Sequence, residues 1–175
     1  MQRIRDYNPS IKLIILLRNP VDRAFSHWNM QRDRNLESLD FLDAVKAEEE
    51  RAKKAYPLQL RKHSYVDRGF YSEQMERVFR FFPRQQVLVI KFDDLRGDYR
   101  EAVNRAFDFL NVPPLKKLKN REENVIKYAR RMTQPERETL SLIFEDDMAK
   151  LETLLGWDCS DWRPISARVA DLVAV

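Results

Sequence analysis

Residues 11–28 read IKLIILLRNPVDRAFSHW and decide the fold. The run 11–17 is rich in leucine and isoleucine and stops at a polar turn, which predicts a short strand buried on both faces. A helix is predicted directly after it, because Asn19 suits the N-cap and Pro20 suits the first helical position. The apolar face of this helix repeats at helical spacing in Val21, Ala24, Phe25 and Trp28. The stretch is therefore predicted to fold as a strand, a turn and a helix.

The rest of the chain alternates between the same two kinds of element. A second strand with a continuous apolar centre is predicted over residues 86–91. Further helices are predicted over residues 39–55, in the later part of 65–82, over 98–110 and over 135–155, the last of them ended by Gly156. Strands that alternate with helices are typical of an α/β fold, a parallel sheet flanked by several helices. Because the 175 residues show no internal repeat or linker, residues 1–175 are predicted to form a single domain.

The predicted sheet is only partial. Two strands are convincing, whereas a sheet usually holds about five or six and a central parallel strand needs a neighbour on each side. Because residues 11–17 lie almost at the N-terminus, we expect an N-terminal strand to be missing before Met1, so that the domain is N-terminally incomplete. An open sheet edge invites pairing, and self-association through that edge is a further expectation.

The composition excludes several classes of protein. The 32 basic and 28 acidic residues leave a net charge of +4, which is only weak support for an anionic ligand, and their interleaving argues against nucleic-acid binding. Cys159 is the only cysteine and His27 and His63 are the only histidines, so we expect neither a disulfide nor a metal site. No apolar run approaches the roughly 20 residues that span a bilayer, and no signal peptide is recognisable, so a cytoplasmic protein without a membrane span is expected.

The turn between the first strand and its helix is a candidate anion site. Ligands of open α/β sheets bind at the carboxyl ends of the strands, and a helix N-terminus offers backbone N–H groups and a partial positive charge. Arg18 adds a guanidinium suited to phosphate oxygens, and Ser26 adds a hydroxyl donor. The residues alone leave a second interpretation open, in which Arg18 pairs with a nearby carboxylate and Ser26 is an ordinary packing serine.

The string LLRNPVDRAFSHW resembles the 3'-phosphate-binding motif of sulfotransferases that use 3'-phosphoadenosine 5'-phosphosulfate (PAPS). In that motif an arginine, and a serine eight residues later, bind the 3'-phosphate, and Arg18 and Ser26 have this spacing. The resemblance implies a P-loop-like sulfotransferase fold. It also implies an enzyme that transfers a sulfuryl group from PAPS to a hydroxyl or amine acceptor and releases adenosine 3',5'-bisphosphate.

The resemblance extends along nearly the whole chain, to the heparan sulfate sulfotransferases and their bacterial relatives. It includes the sequence GFY at 69–71, the sequence FPRQQVLVI at 82–90 and the acidic DDL segment at 93–95. It implies that nucleotide-binding residues also come from two later segments, namely Arg68, Gly69 and Tyr71, and then Lys127, Arg130 and Arg131 in a basic loop. Core packing for Tyr71 and a solvated basic loop are the alternative interpretations.

One part of the expected site is missing. In this family a phosphosulfate loop with lysine and small residues precedes the arginine–serine segment, but only 17 residues precede Arg18 and all three glycines follow it. The catalytic base is unknown, and His27 is a weak candidate because it adjoins Ser26 on the nucleotide-binding helix. We therefore expect little or no activity from the isolated chain.

The alternative function is a non-catalytic remnant or partner-binding module, while a P-loop NTPase is disfavoured because G-x-x-x-x-G-K-[ST] is absent.

Overall fold

The computed structural model of the chain describes residues 1–58, 60–115, 117, 119 and 128–164. The chain divides into two compact units, one from residues 1–18 and 73–125 and the other from residues 19–72 and 126–175. The expectation of a single domain stays a prediction. In chain order the elements are α1 (Gln2–Tyr7), β1 (Leu13–Leu17), α2 (Pro20–Asp33), α3 (Phe41–Lys46), α4 (Glu48–Ala55), α5 (Tyr71–Phe81), β2 (Val87–Lys91), α6 (Phe92–Gly97), α7 (Tyr99–Leu110) and α8 (Gln134–Leu155).

The first unit is built on a parallel pair of strands. β1 and β2 pair in parallel, with Leu13 opposite Val87 and Leu17 opposite Lys91. Both strands lie within the predicted ranges, so the α/β class and the partial parallel sheet with flanking helices are confirmed. Because the pairing is parallel, the carboxyl ends of both strands lie at one edge of the sheet, and β2 runs there directly into α6.

The prediction that the first strand is buried on both faces is wrong. Ile14 and Leu16 are each 46% exposed, whereas Leu17 and Ile90 are buried. A strand shows alternate side chains on opposite faces, and in the part of the chain that the structure describes nothing covers the face that carries Ile14 and Leu16. The apolar run predicts the strand correctly but cannot report which face another element covers.

The helices of the first unit begin and end at recognisable residues. The Asp98 carboxylate accepts a hydrogen bond of 2.9 Å from the Glu101 N–H and so caps α7, which confirms the helix predicted over residues 98–110. The helix ends at Asn111, whose φ of 59° is left-handed. The short helix α1 was not predicted from the sequence, and it buries none of its residues.

The second unit packs around α2 and α8. The predicted helix over residues 39–55 is two helices, α3 and α4, interrupted at Ala47, so that prediction is wrong in its continuity. α8 begins in a capping box formed by Thr133 and Glu136 and ends at Gly156, whose φ is 67°, as the sequence predicts. Nearly complete burial marks the core of this unit, which includes Val21, Phe41, Tyr65, Leu140, Phe144, Leu151 and Trp162. Burying one such aliphatic or aromatic side chain contributes about 1.5–3 kcal/mol.

Within the described residues, none of the helices is both long enough and apolar enough to cross a membrane.

Candidate functional site

Arg18 directly follows β1 in the first unit. Its guanidinium carbon lies 5.5 Å from the centre of the Phe92 ring, a cation–π distance, and Phe92 in turn directly follows β2. The side chain is half-buried. Arg18 is thus held at the carboxyl ends of both parallel strands, which is where open α/β sheets bind ligands.

The first turn of α2 is fixed by Asn19. The Asn19 Oδ1 accepts a hydrogen bond of 3.0 Å from the Val21 N–H, and its Nδ2 donates one of 3.1 Å to the Trp162 carbonyl. Pro20 occupies the first helical turn. Both sequence predictions for this turn, the Asn19 N-cap and Pro20 at the helix start, are confirmed, and the second unit holds the start of α2 rigidly.

Ser26 lies on the second turn of α2, between two buried residues. Phe25 and His27 are both buried, while Ser26 itself is half-buried. The Ser26 hydroxyl makes no hydrogen bond to any residue that the structure describes. Its donor and acceptor capacity is therefore not used by the fold of these residues.

His27 is poorly suited to act as a general base. Burial, followed by the charges of Arg23 and Arg68, lowers the pKa of His27 to about 4. Its Nδ1 is buried and has no hydrogen-bond partner among the described residues. At neutral pH the imidazole is neutral, and a base with so low a pKa takes up an acceptor proton only weakly.

Arg23 joins α2 to the segment that precedes the GFY sequence. Its Nη2 donates a hydrogen bond of 2.7 Å to the Tyr65 carbonyl, and its Nε is buried without a partner in the described part of the chain. Burial lowers the pKa of Arg23, although nearby acidic groups oppose the shift. The sequence assigned no role to Arg23, and nothing in its pattern separates it from the many surface arginines.

Gly69 is required by packing. A Cβ atom at this position would lie 2.7 Å from the Cε1 and Cζ atoms of Phe144 and 3.3 Å from the Cβ atom of Pro20. Any larger residue must displace the Phe144 ring in the core of the second unit. The close approach brings the GFY sequence against the start of α2. The proposed contact of Gly69 with a nucleotide stays a prediction.

Tyr71 is a core residue at the start of α5. It is 5% exposed and its ring centre lies 6.5 Å from that of Trp162. Its N–H donates a hydrogen bond of 2.7 Å to Asp147, which also accepts from the N–H and hydroxyl of Ser72. Asp147 thus caps α5 from another helix. The sequence analysis missed it, although a carboxylate three residues after Phe144 and four before Leu151 stands on the apolar face of α8.

The four basic candidates from the two later segments have different surroundings. The Arg130 guanidinium donates to both carboxylate oxygens of Glu136, at 2.8 and 2.6 Å, and lies 5.0 Å from the Trp28 ring centre and 5.4 Å from that of Phe25. Arg68 and Arg131 are exposed. Lys127 lies outside the described residues. Within the second unit the structure brings Arg130 against the helix of Ser26, and nucleotide contacts for all four basic residues stay predictions.

Two buried glutamates hold the loops beside α2. Glu48 accepts hydrogen bonds of 2.8, 2.8 and 2.9 Å from the N–H groups of Tyr65, Val66 and Asp67. Burial raises the pKa of Glu48, and these three N–H groups oppose the shift. Glu37 accepts a hydrogen bond of 2.8 Å from the Tyr65 hydroxyl and two more, of 2.6 and 3.1 Å, from the Arg51 guanidinium. Tyr65 is thereby fixed on both sides.

Replacing Glu37 with glutamine is expected to make the stability of the chain less sensitive to acid. Burial alone raises the pKa of Glu37, but hydrogen bonds from Arg51, the Leu39 N–H and Tyr65 outweigh it and lower the pKa to about 2. A depressed carboxyl pKa stabilises the fold above the unfolded value near 4.5, and that contribution is lost as the pH falls toward 2. At pH 6 the contribution is about 3 kcal/mol.

Urea unfolding of wild type and Glu37→Gln at pH 6, 4 and 2.5 measures this effect. The difference in unfolding free energy between the two proteins should shrink as the pH falls. Glu50→Gln is the control, because Glu50 is exposed on α4 in a surface pair with Lys54, and its replacement should change the pH profile little. A wild-type advantage that is the same at all three pH values would contradict the assignment.

The comparison with known proteins agrees with this architecture. The chain matches the sulfotransferase domain family over residues 4–147. A sulfotransferase from Alicyclobacillus acidocaldarius has a similar crystal structure, with a TM-score of 0.78 and 35% sequence identity over 93% of this chain and 62% of that one.

Two curated human relatives are more distant. The bifunctional heparan sulfate N-deacetylase/N-sulfotransferase 2 is 28% identical over 111 residues, which are 61% of this chain and 12% of that protein. Heparan sulfate glucosamine 3-O-sulfotransferase 5 is 27% identical over 124 residues, which are 65% of this chain and 32% of that protein. The chain thus spans less than two thirds of each of these relatives and of the bacterial structure. With the family matched over most of its length, the chain belongs to the sulfotransferase family.

Proposed function

We propose that this chain binds the 3'-phosphate of PAPS through Arg18 and Ser26, as part of an enzyme that transfers the sulfuryl group to a hydroxyl or amine acceptor. The observation that carries the proposal is the strand, turn and helix of residues 11–28. The turn is capped by Asn19, and the helix presents a serine hydroxyl that bonds to none of the described residues. The spacing of Arg18 and Ser26 within a matched sulfotransferase domain supports their pairing on one phosphate.

Each group in this proposal has a distinct task. The guanidinium of Arg18 supplies charge-assisted hydrogen bonds to phosphate oxygens, and the Ser26 hydroxyl donates one further bond. The N-terminal end of α2 adds the partial positive charge of the helix dipole. These interactions position the donor, and product adenosine 3',5'-bisphosphate keeps the same phosphate.

Positioning of the nucleotide does not by itself transfer sulfate. The sulfonate oxygens need hydrogen-bond donors and the acceptor needs a base, and no glycine precedes Gly69 to build a phosphosulfate loop. We therefore propose that the isolated 175-residue chain shows little or no turnover and that binding is the informative assay. Self-association through the edge of β1 is also proposed, because β2 is the one strand that pairs with β1 among the described residues.

Calorimetric titration with adenosine 3',5'-bisphosphate tests the proposal. Wild type should bind saturably, and Ser26→Ala should lose about 1–2 kcal/mol of binding free energy, roughly a 5- to 30-fold weaker Kd. Ser38→Ala is the control, because Ser38 is exposed in the loop after α2, and it should bind like wild type. Absence of binding to wild type would overturn the proposed function, and equal binding by Ser26→Ala would remove Ser26 from the site.

A further inference from the structure

A mostly apolar pocket opens on the second unit, outside the residues assigned to the nucleotide. Its volume is about 530 Å³, within the range of about 300–1,000 Å³ that small-molecule sites occupy. The walls come from one residue of α3, from α4, from the segment between α4 and α5, and from one residue of α8. The apolar lining is formed by Val45, Ala52, Leu58, Leu60, Val66, Phe70 and Ile143.

The charged groups of the pocket are all acidic. Glu48, Glu49 and Asp67 line it, and the lining residues include no lysine or arginine. Glu48 is committed to three backbone N–H groups, so Glu49 and Asp67 are the carboxylates available to a ligand. Glu49 pairs with Lys53 at 2.6 Å, but both side chains are largely exposed. Because an exposed ion pair contributes little free energy, a cationic ligand can replace Lys53 as the partner of Glu49 at small cost.

The pocket adjoins the helix that carries Ser26. Two of its lining residues, Ser64 and Val66, flank Tyr65, whose carbonyl accepts the hydrogen bond from Arg23. Arg23 is three residues before Ser26 on α2. A molecule seated in the pocket would therefore contact the segment that packs directly on the proposed nucleotide-binding helix.

We propose that this pocket binds the acceptor, and that the acceptor is an apolar molecule carrying a protonated amine. The apolar walls fit a hydrocarbon or aromatic body, and the carboxylates at Glu49 and Asp67 complement a cation. An anionic polymer such as the heparan sulfate named for the human relatives meets like charge here. The role as acceptor site rests on the proposed function, whereas binding to the pocket does not require nucleotide.

Three small molecules of similar size measure which terminal charge the pocket prefers in a ligand. Phenylbutylamine, phenylbutanol and phenylbutyrate share an aromatic body and differ in the charge of the terminal group. In NMR titrations followed by the amide signals of the pocket residues, the amine should bind most tightly and the carboxylate most weakly, with Kd values about three- to tenfold apart at each step. Tighter binding of phenylbutyrate, or no saturable binding of any probe, would overturn the proposal.

Matched variants show whether the probes occupy this pocket. Ala52→Trp places a large ring in the pocket from an exposed position on α4 and should abolish binding, whereas Lys54→Trp on the same helix should not. Glu49→Gln should reduce the preference for the amine about two- to fivefold. Glu50→Gln should leave it unchanged, because Glu50 has a similar exposure and a similar lysine pair but does not line the pocket. Amine binding unaffected by Ala52→Trp would locate it elsewhere and refute the claim.

These experiments test the proposal for the pocket and the proposal for the nucleotide site independently of each other. Probe titrations contain no nucleotide, and titrations with adenosine 3',5'-bisphosphate contain no probe. If the probes bind and the nucleotide does not, the proposed function fails and the pocket remains an amine site without an acceptor role. If the nucleotide binds and the probes do not, only the acceptor inference is lost.

Discussion

Asp147→Ala is expected to lower the free energy of unfolding by about 3–5 kcal/mol. The Asp147 carboxylate is buried and accepts from the N–H groups of Tyr71 and Ser72 and from the Ser72 hydroxyl. Alanine leaves these donors without an acceptor in a site closed to water, and each costs about 1–3 kcal/mol. It also removes the N-terminal cap of α5, which ties the GFY sequence to α8.

Thermal and urea unfolding measure this change, and a neighbouring aspartate gives the control. Asp146 is exposed on the same turn of α8, so Asp146→Ala carries the same gain in helix propensity without the buried hydrogen bonds and should stay within about 0.5 kcal/mol of wild type. Asp147→Asn keeps one acceptor oxygen and should fall between the two. If Asp147→Ala unfolds within 1 kcal/mol of wild type by this measure, Asp147 does not cap α5 as described.

Arg18→Ala is expected to weaken the binding of adenosine 3',5'-bisphosphate by about 1.5–3 kcal/mol, a Kd about 10- to 150-fold higher. A guanidinium forms charge-assisted, often bidentate, hydrogen bonds to phosphate, and alanine removes both charge and donors. The side chain is half-buried beside Phe92, so urea unfolding of wild type and Arg18→Ala is measured alongside binding to show that the variant is folded.

Two comparisons separate this effect from a general loss of positive charge. Arg100→Ala removes an exposed arginine from α7 and should leave the Kd within about twofold of wild type. Arg18→Lys keeps the charge but not the planar fork, and should recover only part of the lost affinity. Equal weakening by Arg100→Ala would show that net charge, rather than Arg18, governs binding.

The parts of the fold that depend on local signals could be predicted from the sequence. Asn19 and Pro20 define the start of α2 because a side-chain cap and a fixed φ act within one turn, and Gly156 ends α8 for a similarly local reason. The apolar runs located both strands. Their parallel pairing followed from the alternation with helices.

The features that depend on distant residues could not be predicted. The exposure of Ile14 and Leu16 is decided by what covers the sheet. Gly69 is a glycine because Phe144, 75 residues later, occupies the space of its missing side chain. No spacing rule in the sequence reports such a contact.

The residues of the candidate site also fall into two groups, those that a local motif predicts and those that only the folded structure explains. Arg18 and Ser26 could be proposed because their motif lies within one strand, turn and helix. Arg130 could not be interpreted from sequence alone, because its guanidinium is held by Glu136 and by the rings of Phe25 and Trp28. These contacts give Arg130 a structural explanation that a ligand does not have to supply.

The central claim is that the chain recognises a 3'-phosphate through Arg18. The most direct test is a pair of calorimetric titrations, with adenosine 3',5'-bisphosphate and with adenosine 5'-monophosphate, on wild type and on Arg18→Ala. The account predicts that wild type prefers the bisphosphate by about tenfold or more and that Arg18→Ala binds both nucleotides with similar, weak affinity. If wild type binds the two nucleotides equally, or if Arg18→Ala keeps the full preference, the account is contradicted.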